Sequence, residues 1–107
     1  MLLNAYGRRC AVTGTSTESV LEAAHIARYL GQQSNKTSNG LLLRADIHTL
    51  FDLHRVTVTP SLVARVDPAL GTPYVELDGT TVHVPTRPRD QPMAELLADH
   101  NAECDWL

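Results

Sequence analysis

The sequence predicts an α+β fold, and three observations carry that prediction. Short apolar runs bounded by Gly, Pro, Asn, Asp or Ser recur along the chain as strand signals. From about Leu41 the pattern turns helical, and near the C-terminus Met93, Leu96, Leu97 and Cys104 recur at helical spacing behind Pro92, a residue suited to a helix start. With 107 residues, 43% of them hydrophobic, the chain suits one domain with one modest core that needs no disulfide. Its expected parts are a strand-strand-helix core over 6–52, β-hairpins over 53–91 and a C-terminal helix over 92–107.

Taken in order, Arg9-Cys-Ala-Val-Thr13 reads as a short strand ended by Gly14, and Val20 to Ala24 as a second strand after a Thr/Ser-rich turn, together a hairpin. Ala27 to Asn39 has no periodic apolar face and reads as a long exposed loop. On the helix that follows, Leu43, Ile47, Leu50 and Leu53 share one side, while Arg44, His48, Asp52 and Arg55 form a stripe on the other. Arg55 to Thr59 and Leu62 to Val66 alternate around Pro60-Ser61, and Tyr74 to Leu77 and Thr80 to Val84 flank Asp78-Gly79, which gives two hairpins. Pro85 to Pro92 is a connector to the last helix.

A net charge of −3 excludes a strong basic field, so any nucleic-acid affinity needs a local patch, a metal or another domain. The charges are uneven. Glu95, Asp99, Glu103 and Asp105 gather at the C-terminal end, whereas Arg8, Arg9, Arg28, Lys36, Arg44 and Arg55 lie in the first half. Cys10 and Cys104 have no zinc-like or framework spacing and read as reduced thiols of a cytoplasmic protein. No leader pattern and no membrane-spanning run is present, and a membrane partner is not expected.

His25, Asn39 and His48 follow one another at spacings of 14 and 9 residues. Hydrolysis of a phosphodiester needs a base to deprotonate water and a cation to stabilise the phosphoryl and leaving oxygens. His25, at the mouth of the loop, is the candidate general base. His48 and Asp52 stand at i and i+4 on one helix face and can converge on one ion. This mixed N/O pair does not choose among magnesium, manganese, nickel and zinc. Asn39, able to donate and accept, suits a brace between the loop and the helix start. Asp46 points nearly opposite to His48 and suits a capping or packing contact. Arg28, Lys36 and Arg44 flank the site and are candidates for phosphate contacts. His54, His83 and His100 read as solvated, and Phe51 and Trp106 as packing residues.

These residues resemble the HNH endonucleases, whose core is a ββα-metal finger. The phrases that carry the likeness are Ala23-Ala-His-Ile26, Asn39-Gly-Leu-Leu-Leu43 and Ala45-Asp-Ile-His-Thr-Leu-Phe-Asp52. They are similar to a branch found in many bacterial restriction-type and defence proteins. The resemblance covers roughly Tyr6 to Asp52 and implies that His25, closing the second strand, is the base, that Asn39 braces the loop and that His48 binds the metal. Two departures stand out. Many of these nucleases have a metal-binding Asp or His directly before the base, where this chain has Ala24, and a ligand four residues after the last His, as in colicin-type nucleases, falls on Asp52. Where relatives carry paired C-x-x-C motifs, this chain has Cys10-Ala-Val-Thr13 and Arg44-Ala-Asp-Ile47, so no structural zinc is expected.

The sequence therefore reads as a single-metal DNA endonuclease, related to restriction or defence and acting on duplex DNA. Its start, a few residues before the first strand signal, reads as a catalytic piece of a longer protein whose other parts recognise the DNA. A homodimer is compatible with the pattern. The reading from another class is a nucleic-acid-binding or protein-interaction module that kept the fold and lost activity with the ligand at Ala24.

Overall fold

Two paired strands and the helix that follows the second position the triplet. The computed structural model describes residues 2–27 and 36–107. After a short helix α1 (Leu2–Ala5), β1 (Leu21–His25) pairs antiparallel with β2 (Gly40–Arg44), in a register that runs from Leu21 opposite Arg44 to His25 opposite Gly40. Helix α2 (Ala45–Asp52) begins at the residue after β2. A second antiparallel pair, β3 (Val56–Val58) with β4 (Ala64–Val66), follows, and α3 (Ala94–Ala102) packs on β3. The α+β class and the strand-strand-helix unit expected from the sequence are present.

Three boundaries differ from expectation. The first strand of the unit is not 9–13 but Leu21–His25, and its partner is Gly40–Arg44, so His25 closes the first strand of the pair rather than the second. Residues 11–13 form a turn instead: Gly14 N–H donates to Cys10 O at 3.0 Å, and Ala11 N–H donates to Leu42 O of β2 at 2.8 Å. The helix starts four residues later than about Leu41. Leu41, Leu42 and Leu43 are all buried, and a wholly buried strand gives the same unbroken apolar run as a buried helix turn. Pairing with β1 supplies the backbone partners that decide for strand.

The second hairpin also differs. Tyr74–Leu77 is a 3₁₀ turn, and the segment after it runs beside β4 rather than back along Tyr74–Leu77. Ala64 N–H donates to Thr80 O at 2.8 Å, and Val82 N–H to Leu62 O at 2.9 Å. The cause lies in the Asp78 side chain, which accepts Val66 N–H at 2.8 Å and the Arg65 guanidinium at 3.0 Å, so that the Asp-Gly pair caps β4. The hairpin 55–59/62–66 is present in shortened form.

The core collects Tyr6, Cys10, Leu41, Leu43, Ile47, Phe51, Val56, Val58 and Leu97. Tyr6 donates its hydroxyl to Gly40 O at 3.0 Å, and burial raises its phenol above the ordinary range. None of His54, His83 and His100 is merely solvated. His83 Nε2 donates to Tyr6 O at 2.7 Å. His54, at positive φ behind α2, stacks on His100 with ring centroids 4.4 Å apart. His100 is buried and stacked 3.8 Å from Phe51. Phe51 O only accepts, so His100 Nε2, 2.9 Å away, carries the hydrogen; Nδ1 then accepts the Thr57 hydroxyl at 2.7 Å, and that hydroxyl accepts Asn101 Nδ2 at 2.7 Å. The helical spacing of leucines shows α3 but not that its histidine faces a threonine across the core.

Burial, with His54 assisting and the Phe51 carbonyl opposing, holds the His100 imidazole below the usual 6.5. A depressed histidine stabilises the fold above its unfolded value, and that contribution is lost as pH falls from there toward the folded value. His100→Ala is expected to cost roughly 3 kcal/mol at about pH 8, from the cavity and the orphaned Phe51 carbonyl. The gap to wild type should narrow in chemical denaturation below about pH 6. Asp46 gives the carboxylate case. The Arg44 guanidinium, aided by the Tyr74 hydroxyl and Ile47 N–H, holds its carboxyl down at about 2 against an ordinary 3.8. With a half-exposed side chain, Asp46→Asn is expected to cost only about 1 kcal/mol near neutrality. Wild type and variant should converge as pH falls from 3.8 toward 2.

Candidate active site

β1 delivers His25 at its last position, exposed at the mouth of the loop. Directly across, Gly40 opens β2, and a Cβ there would stand 2.9 Å from Leu2 Cδ1, so α1 packs where a side chain would otherwise be. Because α2 continues from β2 without a linker, His48 rises in its first turn and Asp52 ends it. His48 Nε2 lies 3.3 Å from Asp52 Oδ2, so the i, i+4 convergence read from the wheel is realised. His25, His48, Asp52 and Ala23 line one open cavity of about 320 Å³. A second cavity of about 330 Å³ shares His25 and Asp52 and extends between α2 and α3 to Phe51, Leu96 and Glu103.

Asn39 is 1% exposed and clamps the loop. Its Oδ1 accepts Ala27 N–H at 2.9 Å and its Nδ2 donates to Ala27 O at 2.9 Å, while Ile26 N–H donates to the Asn39 carbonyl at 2.9 Å. The brace therefore ties the exit of β1 to the start of β2, and it reaches α2 only through β2. Asp46 accepts Arg44 Nε at 2.6 Å and Nη2 at 3.0 Å, and the Tyr74 hydroxyl at 2.8 Å, in keeping with a packing role. That pairing commits the Arg44 guanidinium to Asp46. Lys36 is exposed and precedes the 3₁₀ turn Thr37–Asn39, and Arg28 lies outside the described residues.

Glu22 was not singled out by sequence reasoning. Its Oε1 stands 2.8 Å from His48 Nδ1. The signal available was a carboxylate set in an otherwise apolar strand three positions before His25. Ala24 is 1% exposed and belongs to the core, so its position is a packing position here.

Among the described residues no group of three or more His, Cys, Asp and Glu side chains is arranged to hold a metal ion. His48 Nε2 and Asp52 Oδ2 nevertheless fit adjacent positions on a divalent cation: donors about 2.0–2.2 Å from one ion stand roughly 3 Å apart when cis. An imidazole and a carboxylate suit borderline and hard divalent ions alike, and two protein donors leave positions for water and phosphate.

No curated protein matches the sequence. Among solved structures, one described as a modification dependent TagI restriction endonuclease superposes with a TM-score of 0.65 at 22% identity, over 97% of this chain and 36% of that one. The chain thus spans about a third of that neighbour's length, and the likeness is one of fold. Residues 10–59 match the family model for HNH endonuclease, a stretch that holds His25, Asn39, His48 and Asp52. The β1 and β2 strands and α2 all lie within the stretch that the HNH endonuclease family model matches.

Proposed function

We propose that the chain is the catalytic part of a metal-dependent DNA endonuclease of restriction or defence type. The observation that carries the reading is that His25, His48 and Asp52, from two different elements, line one cavity at a strand end pinned by Asn39. His25 accepts a proton from the attacking water, whose oxygen forms the new bond to phosphorus as the bond to the departing 3′ oxygen breaks. His48 and Asp52 hold one divalent cation, and that cation supplies the positive charge that offsets negative charge on the leaving oxygen. Asn39 fixes the strand end that carries His25, so that base and cation keep their separation. Lys36, Arg28 and Arg44 remain the candidate phosphate contacts, with Arg44 available only by leaving Asp46. A duplex break takes two nicks, from a second copy or a second encounter. Sequence recognition falls to other parts of a longer protein, in keeping with the net charge of −3. A cytoplasmic setting agrees with two buried free cysteines and, among the described residues, with no helix long and apolar enough to cross a membrane.

A binding module without activity is the second reading, favoured by one observation, the core position of Ala24. Plasmid nicking separates the two. With manganese, wild type should convert supercoiled to open-circular plasmid and chelator should stop it. His25→Ala should cut on the order of 10²–10⁴-fold more slowly while its gel-shift affinity for DNA is unchanged; cutting at the wild-type rate would remove His25 as the base. Asp52→Asn should weaken manganese binding by roughly tenfold or more in calorimetric titration, and His48→Ala by at least as much. Equal binding by all three proteins would leave only the module.

A further inference from the structure

His48 stands between two carboxylates that come from different elements. Glu22 Oε1, from β1, lies 2.8 Å from Nδ1, and Asp52 Oδ2, from the last residue of α2, lies 3.3 Å from Nε2. A carboxylate oxygen only accepts, so the hydrogen between Glu22 and the ring belongs to Nδ1. An imidazole that ligates a cation has one N–H and one bare nitrogen, and the hydrogen bond made by the first settles which nitrogen is bare. With Nδ1–H turned to Glu22, Nε2 is the nitrogen left to face a cation beside Asp52; with no cation bound, Asp52 Oδ2 at 3.3 Å is an acceptor for a hydrogen on Nε2. The same contact fixes the rotation of the ring, because the opposite flip would remove Nδ1 from Glu22.

Glu22 is poorly placed to be a ligand itself. The two ring nitrogens point away from one another, so carboxylates at Nδ1 and Nε2 do not face a shared point. Orientation also matters more here than in a site with three protein donors. Ala24 is 1% exposed among core residues, so among the described residues His48 and Asp52 are the candidate donor pair. We propose that Glu22 is a positioning residue of the candidate active site, holding the His48 ring and its tautomer so that Nε2 and the Asp52 carboxylate face one divalent cation. The cation belongs to the nuclease reading above; the contact between Glu22 and Nδ1 does not depend on it.

The test compares wild type, Glu22→Gln and Glu22→Ala as full chains, with Mn²⁺ as the probe. Ring ¹⁵N shifts of His48 are read without cation near pH 8, where free imidazole is neutral, affinity by calorimetry and turnover by plasmid nicking. Wild type should show a protonated-type Nδ1. Gln keeps a carbonyl that accepts Nδ1–H, so Glu22→Gln should retain both the shifts and the Mn²⁺ affinity to within about threefold. Glu22→Ala should show mixed tautomers and roughly 10–100-fold weaker Mn²⁺ binding, with nicking depressed at low Mn²⁺ and restored at saturation. A purely structural role would lower thermal stability and nicking without that recovery. Unchanged His48 shifts or wild-type Mn²⁺ affinity in Glu22→Ala would overturn the proposal. So would a Glu22→Gln variant that binds as weakly as Glu22→Ala with its tautomer intact, because Glu22 would then be a ligand. If wild type neither binds Mn²⁺ nor nicks plasmid, the nuclease reading falls and takes with it the cation-orienting role. Normal wild-type activity beside an unaltered Glu22→Ala removes Glu22 alone.

Discussion

The hydrogen bonds around Asn39 set the geometry on which the rest of the site depends. A buried primary amide must find partners for both its oxygen and its nitrogen, and Asn39 finds them on the two backbone groups of Ala27. With Ile26 N–H on the Asn39 carbonyl, the strand ladder is extended just past His25. Since α2 starts at the residue after β2, a fixed strand register fixes the rotation of the helix as well. Ile47 and Phe51 then face the core while His48 and Asp52 face the cavity. One side-chain amide thereby couples two histidines delivered by different elements.

The end of β2 farthest from His25 is secured by a different polar arrangement. The segments that hold Cys10 and Arg44 meet in space. The Cys10 thiol accepts Arg44 N–H at 3.2 Å and Thr13 N–H at 3.3 Å, and Arg44 Nη1 lies 3.5 Å from Thr15 Oγ1. Arg44 is paired in turn with Asp46, which takes the Tyr74 hydroxyl from the segment ahead of Asp78-Gly79. A single sulfur accepting backbone donors and one bidentate ion pair link the turn after Cys10, the end of β2 and the start of α2. Their strength is that of a few part-exposed hydrogen bonds, each near 1 kcal/mol, rather than that of a metal site.

What the residues disclosed follows the range of the interactions concerned. The convergence of His48 and Asp52 is a property of one helix turn, and i, i+4 geometry needs only local structure, so it was readable. The role of Asn39 was readable as a brace because a short amide can serve no longer span. Which strand His25 closes was not readable, since Arg9 to Thr13 and Leu41 to Leu43 are both short apolar runs, and their pairing is decided by contacts distant in sequence. The histidines misjudged as solvated fail for the same reason. His100 looks polar among acidic neighbours until Thr57 and Phe51, more than forty residues away, supply its partners.

Charge at the site also gives a reason for the order in which its occupants arrive. Glu22 and Asp52 flank one imidazole, and the basic residues described nearest in sequence are committed or lie beyond the cavity lining: Arg44 is paired with Asp46, and Lys36 is exposed at the far end of the loop. A phosphate approaching two carboxylates meets repulsion, at 4 Å about 1 kcal/mol per pair in water and several times that in a less polar setting. A divalent cation meets attraction of the same origin. Under the proposed function, then, the protein half of the site is built to be occupied by cation before DNA. The acidic character that argues against a nucleic-acid partner for the chain as a whole becomes, at these two residues, the condition for holding one.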